Sequence, residues 1–153
     1  TATTVSLRVI YVVLKELNSM KTQIEVKELK KLKDELEIVL SFPIPGDAKL
    51  YLNDLYENVL ISINDVISKK EALIQSLGKE VNGEYQIEPT IKNDKDEDIT
   101  NPGYFLYLQK QEEIDSSPVV FTHTRFMPEI LKEVRSEFKF PILYRFFFHG
   151  FFI

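Results

Sequence analysis

Between Pro45-Gly46 and Gly78 runs the stretch that most restricts how this chain can fold. Leu52, Leu55, Val59, Ile63, Val66, Ile67, Ile74 and Leu77 recur three, four or seven residues apart. That spacing lays one apolar stripe along a 3.6-residue helix. Pro45 and Gly46 oppose helix upstream, Asp47 offers an N-cap oxygen, and Gly78 can take the left-handed conformation that closes a last turn. The pattern predicts a helix over 47–77, about 45 Å long at 1.5 Å per residue.

Two further stretches read in the same way. Leu29, Leu32, Leu36 and Val39 are spaced three and four apart, and Thr22 with Glu25 has the form of a capping box, so a helix is expected over 22–41, ending before Pro43. Upstream, Leu7, Ile10, Tyr11, Leu14 and Leu17 share one side of a helix over 4–17. Val5, Val9, Val12 and Val13 widen its apolar surface, which is the signature of a helix with neighbours on more than one side. The expected fold is therefore mainly α: an antiparallel bundle of three long N-terminal helices, followed by an aromatic-rich C-terminal part of shorter elements with one or two short strands. Its 153 residues make one ordinary domain, divided into the bundle (1–78), an acidic loop (79–103) and the aromatic-rich part (104–153).

The composition, 44% apolar and 28% charged, is that of a soluble globular chain. A net charge of −5 argues against general binding to a phosphate backbone, which needs a surplus of Lys and Arg on one face. The absence of cysteine excludes disulfides, thiolate metal sites and a cysteine nucleophile. No apolar run reaches the roughly 20 residues of a membrane span, and the first residues lack the pattern of a secretory signal, so an intracellular protein is expected. The opening Thr-Ala-Thr-Thr, without a methionine, suggests processing or a segment cut from something longer.

After Gly78 the helical period is lost. Asn82-Gly83 marks a turn, Asp94 to Asp98 reads as a solvated loop, and Tyr85, Ile87 and Ile91 indicate a short strand that Pro89 confines to an edge. Pro102, Pro118, Pro128 and Pro141 each suit the first turn of a helix, and 103–113 and 128–138 are the stronger helical stretches. Residues 119–126 and 140–148, rich in β-branched and aromatic side chains, fit strand or helix alike.

Candidate chemistry is sparse. Asp94, Asp96 and Asp98 alternate as at the start of a calcium loop, but Ile99 stands where such a loop needs glycine and Phe105 where it needs the bidentate glutamate. The two histidines, His123 and His149, lie near Arg125 and Arg145, a pairing that could combine a general base with a phosphate-stabilising cation. The run Arg145-Phe-Phe-Phe-His149 is similar to the Arg and His pair of HEPN-type ribonucleases. Its gap is shorter and no polar residue follows the arginine, so the resemblance implies no membership. Two histidines without cysteine do not make a zinc site, and no phosphate loop or nucleophile elbow is present. Tyr104, Phe105 and Tyr107 ahead of Lys110 could stack single-stranded nucleic acid, but helical spacing and acidic flanks assign them to core packing.

From Phe138 to Ile153 the ring density exceeds what one small element can bury alone. Part of it is expected inside, while Phe147, Phe151 and Phe152 are expected to meet a partner. The resulting expectation is a non-enzymatic protein–protein interaction module or complex subunit, without catalytic residue, metal or cofactor. It would bind another protein, or the rest of a longer chain, through apolar helix faces and the aromatic C-terminus. The alternative is a small helical hydrolase or nuclease using His123 or His149 with Arg125 or Arg145.

Overall fold

The computed structural model describes residues 19–44, 46–124, 140–143 and 145. In chain order the described elements are β1 (Ser19–Glu25), a 3-10 turn (Val26–Glu28), α1 (Leu29–Leu40), α2 (Gly46–Leu77), β2 (Lys79–Val81), β3 (Glu84–Gln86), β4 (Thr90–Lys92), β5 (Asp98–Thr100), α3 (Pro102–Asp115) and β6 (Pro118–Thr124). Residues 141–143 are helical. The architecture is mixed α/β, with several small antiparallel sheets, and this corrects the expected bundle of three long N-terminal helices. The helices expected over 4–17 and 128–138 lie outside the described residues.

The correction turns on residues 19–25. Thr22 and Ile24 are buried while Lys21 and Gln23 are exposed, a period of two that belongs to a strand. β1 pairs antiparallel with β6 in the register Ser19↔Thr124 to Glu25↔Pro118, which turns Phe121 and His123 inward and leaves Val120 and Thr122 exposed. Pro118 therefore opens a strand and not a helix, at the edge position where its missing N–H costs nothing. The apparent capping box at Thr22 is displaced by one turn: the Glu28 carboxylate accepts the Glu25 backbone N–H at 3.1 Å, just ahead of α1.

One core joins the inner faces of these elements. Leu29, Leu32, Leu36 and Val39 of α1 meet Leu52, Leu55 and Val59 of α2, with Ile24 and Phe121 from the β-ribbon and Phe140, Ile142 and Leu143 from the C-terminal segment. α1 and α2 run antiparallel, and Tyr56 donates its hydroxyl proton to Glu37 across them at 2.8 Å. Only the first half of the 32-residue α2 is sealed. Ile63 and Val66 are half-buried, and Ile67 is 48% exposed.

The stretch read as an acidic loop contains two hairpins. Asn82 (φ 53°) and Gly83 (φ 84°) form the two-residue turn between β2 and β3, both in the left-handed region that such a turn requires. Between β4 and β5 the Asn93 side-chain oxygen accepts the N–H groups of Lys95 and Glu97, each at 2.9 Å. Gly78 closes α2 by donating to the Ile74 carbonyl at 2.7 Å, but its φ is not left-handed. Glycine is needed there for space, because a Cβ would sit 2.7 Å from the carbonyl oxygens of both Ile74 and Gln86.

α3 starts where Asn101 caps it, its side-chain oxygen accepting the Gly103 N–H at 3.0 Å with Pro102 in the first turn. No residue of α3 is buried. The expected packing of Tyr104, Phe105 and Tyr107 into a core is thus corrected: both tyrosines are half-buried and Phe105 is 66% exposed. Among the described residues no helix is long and apolar enough to cross a membrane.

Candidate interaction groove

Past Val59, α2 leaves the core, and a groove opens between it and the N-terminal end of α1. Val26, Leu29, Lys30 and Lys33 line one wall, at the i, i+3, i+4, i+7 positions of a single helical face. Ile63, Val66, Ile67 and Lys70 line the other at the same spacing. The floor is therefore apolar and the lysines stand at its edges. Lys27 and Asp115 complete the lining of a cavity of about 570 Å³. A smaller cavity of about 320 Å³ lies by Gly78 between α2 and the hairpins, where Lys79 and Glu88 are its only charged lining groups among the described residues.

Surface ion pairs frame the larger groove. Lys70 meets Asp115 at 2.7 Å, tying α2 to the last residue of α3. Lys27 meets Glu25 at 2.9 Å, and the hydrogen bond it donates to that carboxylate raises the Lys27 pKa, helped by the charge of Glu25 and by those of Glu112 and Glu28. Lys33 lies 3.5 Å from Glu37, whose own pKa is lowered first by the Tyr56 hydroxyl and then by Lys33. Among the described residues Lys30 enters no ion pair.

The residues singled out for chemistry sit elsewhere. His123 is buried on β6, and its Nε2 lies 2.6 Å from the Thr22 hydroxyl of the paired strand. Arg145 is exposed and donates to the Glu28 carboxylate at 2.9 Å. Each therefore holds a partner on a different element. Arg125, His149, Phe147, Phe151 and Phe152 lie outside the described residues. In the acidic run, Asp98 pairs with Lys92 at 3.0 Å and Asp96 adopts a turn conformation (φ 59°). Among the described residues no group of three or more His, Cys, Asp or Glu side chains is placed to hold a metal ion.

One polar site escaped the sequence reading. Glu35 lies on the inner face of α1, only 5% exposed. Its carboxylate accepts the backbone N–H of Ile142 at 3.3 Å and of Leu143 at 3.0 Å. Burial raises its pKa, and those two hydrogen bonds and the charge of Lys31 oppose the rise. The available signal was an acid within the stripe Leu32, Leu36, Val39, where a solvated carboxylate has no place.

No protein-family model, curated protein or solved structure matches the chain.

Proposed function

We propose that this chain is a non-enzymatic interaction module that binds another protein through apolar helix faces. The observation that carries the reading is α3, which buries none of its residues while Phe105, Leu106 and Leu108 are 66, 39 and 45% exposed. Asn101 and the Lys70–Asp115 pair hold this helix in place, so its apolar side chains are presented on a supported element. Phe105 and Leu108 are three residues apart and so share a helix face, and large exposed apolar side chains side by side are a mark of a recognition site.

The test is association of the purified chain with proteins of its source cells, followed by direct binding of the purified partner. Phe105→Asp/Leu108→Asp should lose that association while keeping the wild-type circular dichroism spectrum and melting temperature. An unchanged partner profile overturns the reading. So does phosphodiester hydrolysis that is lost in His123→Ala or in His149→Ala with the fold intact, which is the outcome required by the alternative of a hydrolase built on His123 or His149 with Arg125 or Arg145.

A further inference from the structure

We infer that the groove between α1 and α2 is the seat of an acidic amphipathic helix supplied by a partner protein. The inference rests on the interaction-module reading and names the partner's chemistry. Its first ground is shape. On α2 the stripe 63-66-67-70 stands half-open, and facing it are Val26 of the 3-10 turn and Leu29, Lys30 and Lys33 of α1, with space between the two walls. Ridges of a third helix fit the furrow between two packed helices, and the wall from Ile63 to Lys70 is about 10 Å long, two turns at 1.5 Å per residue. A ligand helix therefore needs apolar anchors at i, i+3 or i+4, and i+7 to reach Ile63, Val66 and Ile67, the apolar lining residues that the core does not seal.

Charge is the second ground. Four lysines, Lys27, Lys30, Lys33 and Lys70, line the groove with one acid, Asp115, in a chain whose net charge is −5, and of the four Lys30 alone enters no ion pair among the described residues. Carboxylates flanking the ligand's apolar face would meet Lys30 directly. They would also compete for Lys27 and Lys33, whose present pairs with Glu25 and Glu37 are solvent-exposed and correspondingly weak. A basic ligand helix would meet the uncompensated charge of Lys30 and gain nothing from the three paired lysines, so the rim favours an acidic ligand.

The experiment uses the full chain and two labelled synthetic helices with leucine anchors at i, i+4 and i+7, one flanked by glutamate and the other by lysine at the same positions. Fluorescence anisotropy should show the acidic peptide binding at least about tenfold more tightly, with the preference shrinking as salt is raised to 0.5 M. Lys30→Glu should weaken the acidic peptide about fivefold, the scale of one exposed ion pair. Ile67→Asp should abolish binding, while Ile61→Asp, at an exposed position of α2 outside the groove lining, should leave it unchanged. Equal binding of the two peptides, no binding of either, or indifference to Ile67→Asp overturns the inference. A dimer that Ile67→Asp breaks and the acidic peptide fails to compete away would give the groove to a second copy, and also overturns it. If the peptides fail while association dependent on Phe105 and Leu108 persists, the groove assignment falls and the module reading stands.

Discussion

The Glu35 carboxylate on α1 accepts the backbone N–H of Leu143, 108 residues further along the chain, at 3.0 Å. With the Ile142 N–H on its other oxygen, it satisfies two amides at the start of a helical turn, where the first N–H groups have no partner within the helix. Ile142 and Leu143 are themselves core residues, so this one side chain fastens the C-terminal segment onto the core.

Glu35→Ala should therefore destabilise the domain, by about 1–3 kcal/mol for each buried amide left unpaired. Glu35→Gln keeps an acceptor oxygen and should lose less. Urea unfolding midpoints of the three proteins at one pH would measure the difference; equal midpoints for Glu35→Ala and wild type would show that the contact contributes nothing.

A pH dependence follows from the same site. Burial raises the folded-state pKa of Glu35 above its ordinary value of 4.5, so the folded chain holds this proton more tightly than the unfolded chain. The stability contributed by the site is fully present below pH 4.5 and is lost as the pH rises through the folded-state value. Glu37 acts in the opposite sense: its lowered pKa adds stability above 4.5 that is lost as the pH falls. Subtracting the Glu35→Gln curve from the wild-type curve cancels Glu37. That difference should move in favour of Glu35→Gln as the pH rises from 4.5, and a flat difference would remove Glu35 as the source.

Val59 and Ile67 lie two turns apart on α2 with opposite fates, 0% and 48% exposed. Val59→Asp places an unpaired charge in the core and should cost several kcal/mol. Ile67→Asp should melt within a few degrees of wild type, since exposed substitutions stay within about 0.5 kcal/mol. Thermal melts followed by circular dichroism compare them, and loss of fold in Ile67→Asp would place that side chain in the core.

The legible elements were those with local signals. α2 announced itself through 3.6-residue spacing between Pro45-Gly46 and Gly78, α3 through Asn101-Pro102, and the first hairpin through Asn82-Gly83. β1 was misread because Thr22 to Glu25 imitates a capping box, while its strand partner begins at Pro118. Nothing near residue 22 reports a pairing with residue 121. Within α3, apolar spacing suggested a core face, but α3 packs beside the half of α2 that has already left the core, so Phe105 faces outward.

By itself the sequence determined the periods, breaks and charges: where helix is favoured, where the chain must turn, and that Lys30, Lys33 and Lys70 lie at helical spacing to apolar neighbours. Only the tertiary structure decided which apolar residues those lysines edge and which are sealed. Val59 and Ile67 belong to the same stripe of the same helix and carry the same preference for burial. What separates them is the distant surface that arrives to cover one and not the other. Segments 19–25, 118–124 and 140–143 close over the first half of α2 and stop, because a side chain's burial depends on neighbours brought together by the whole fold.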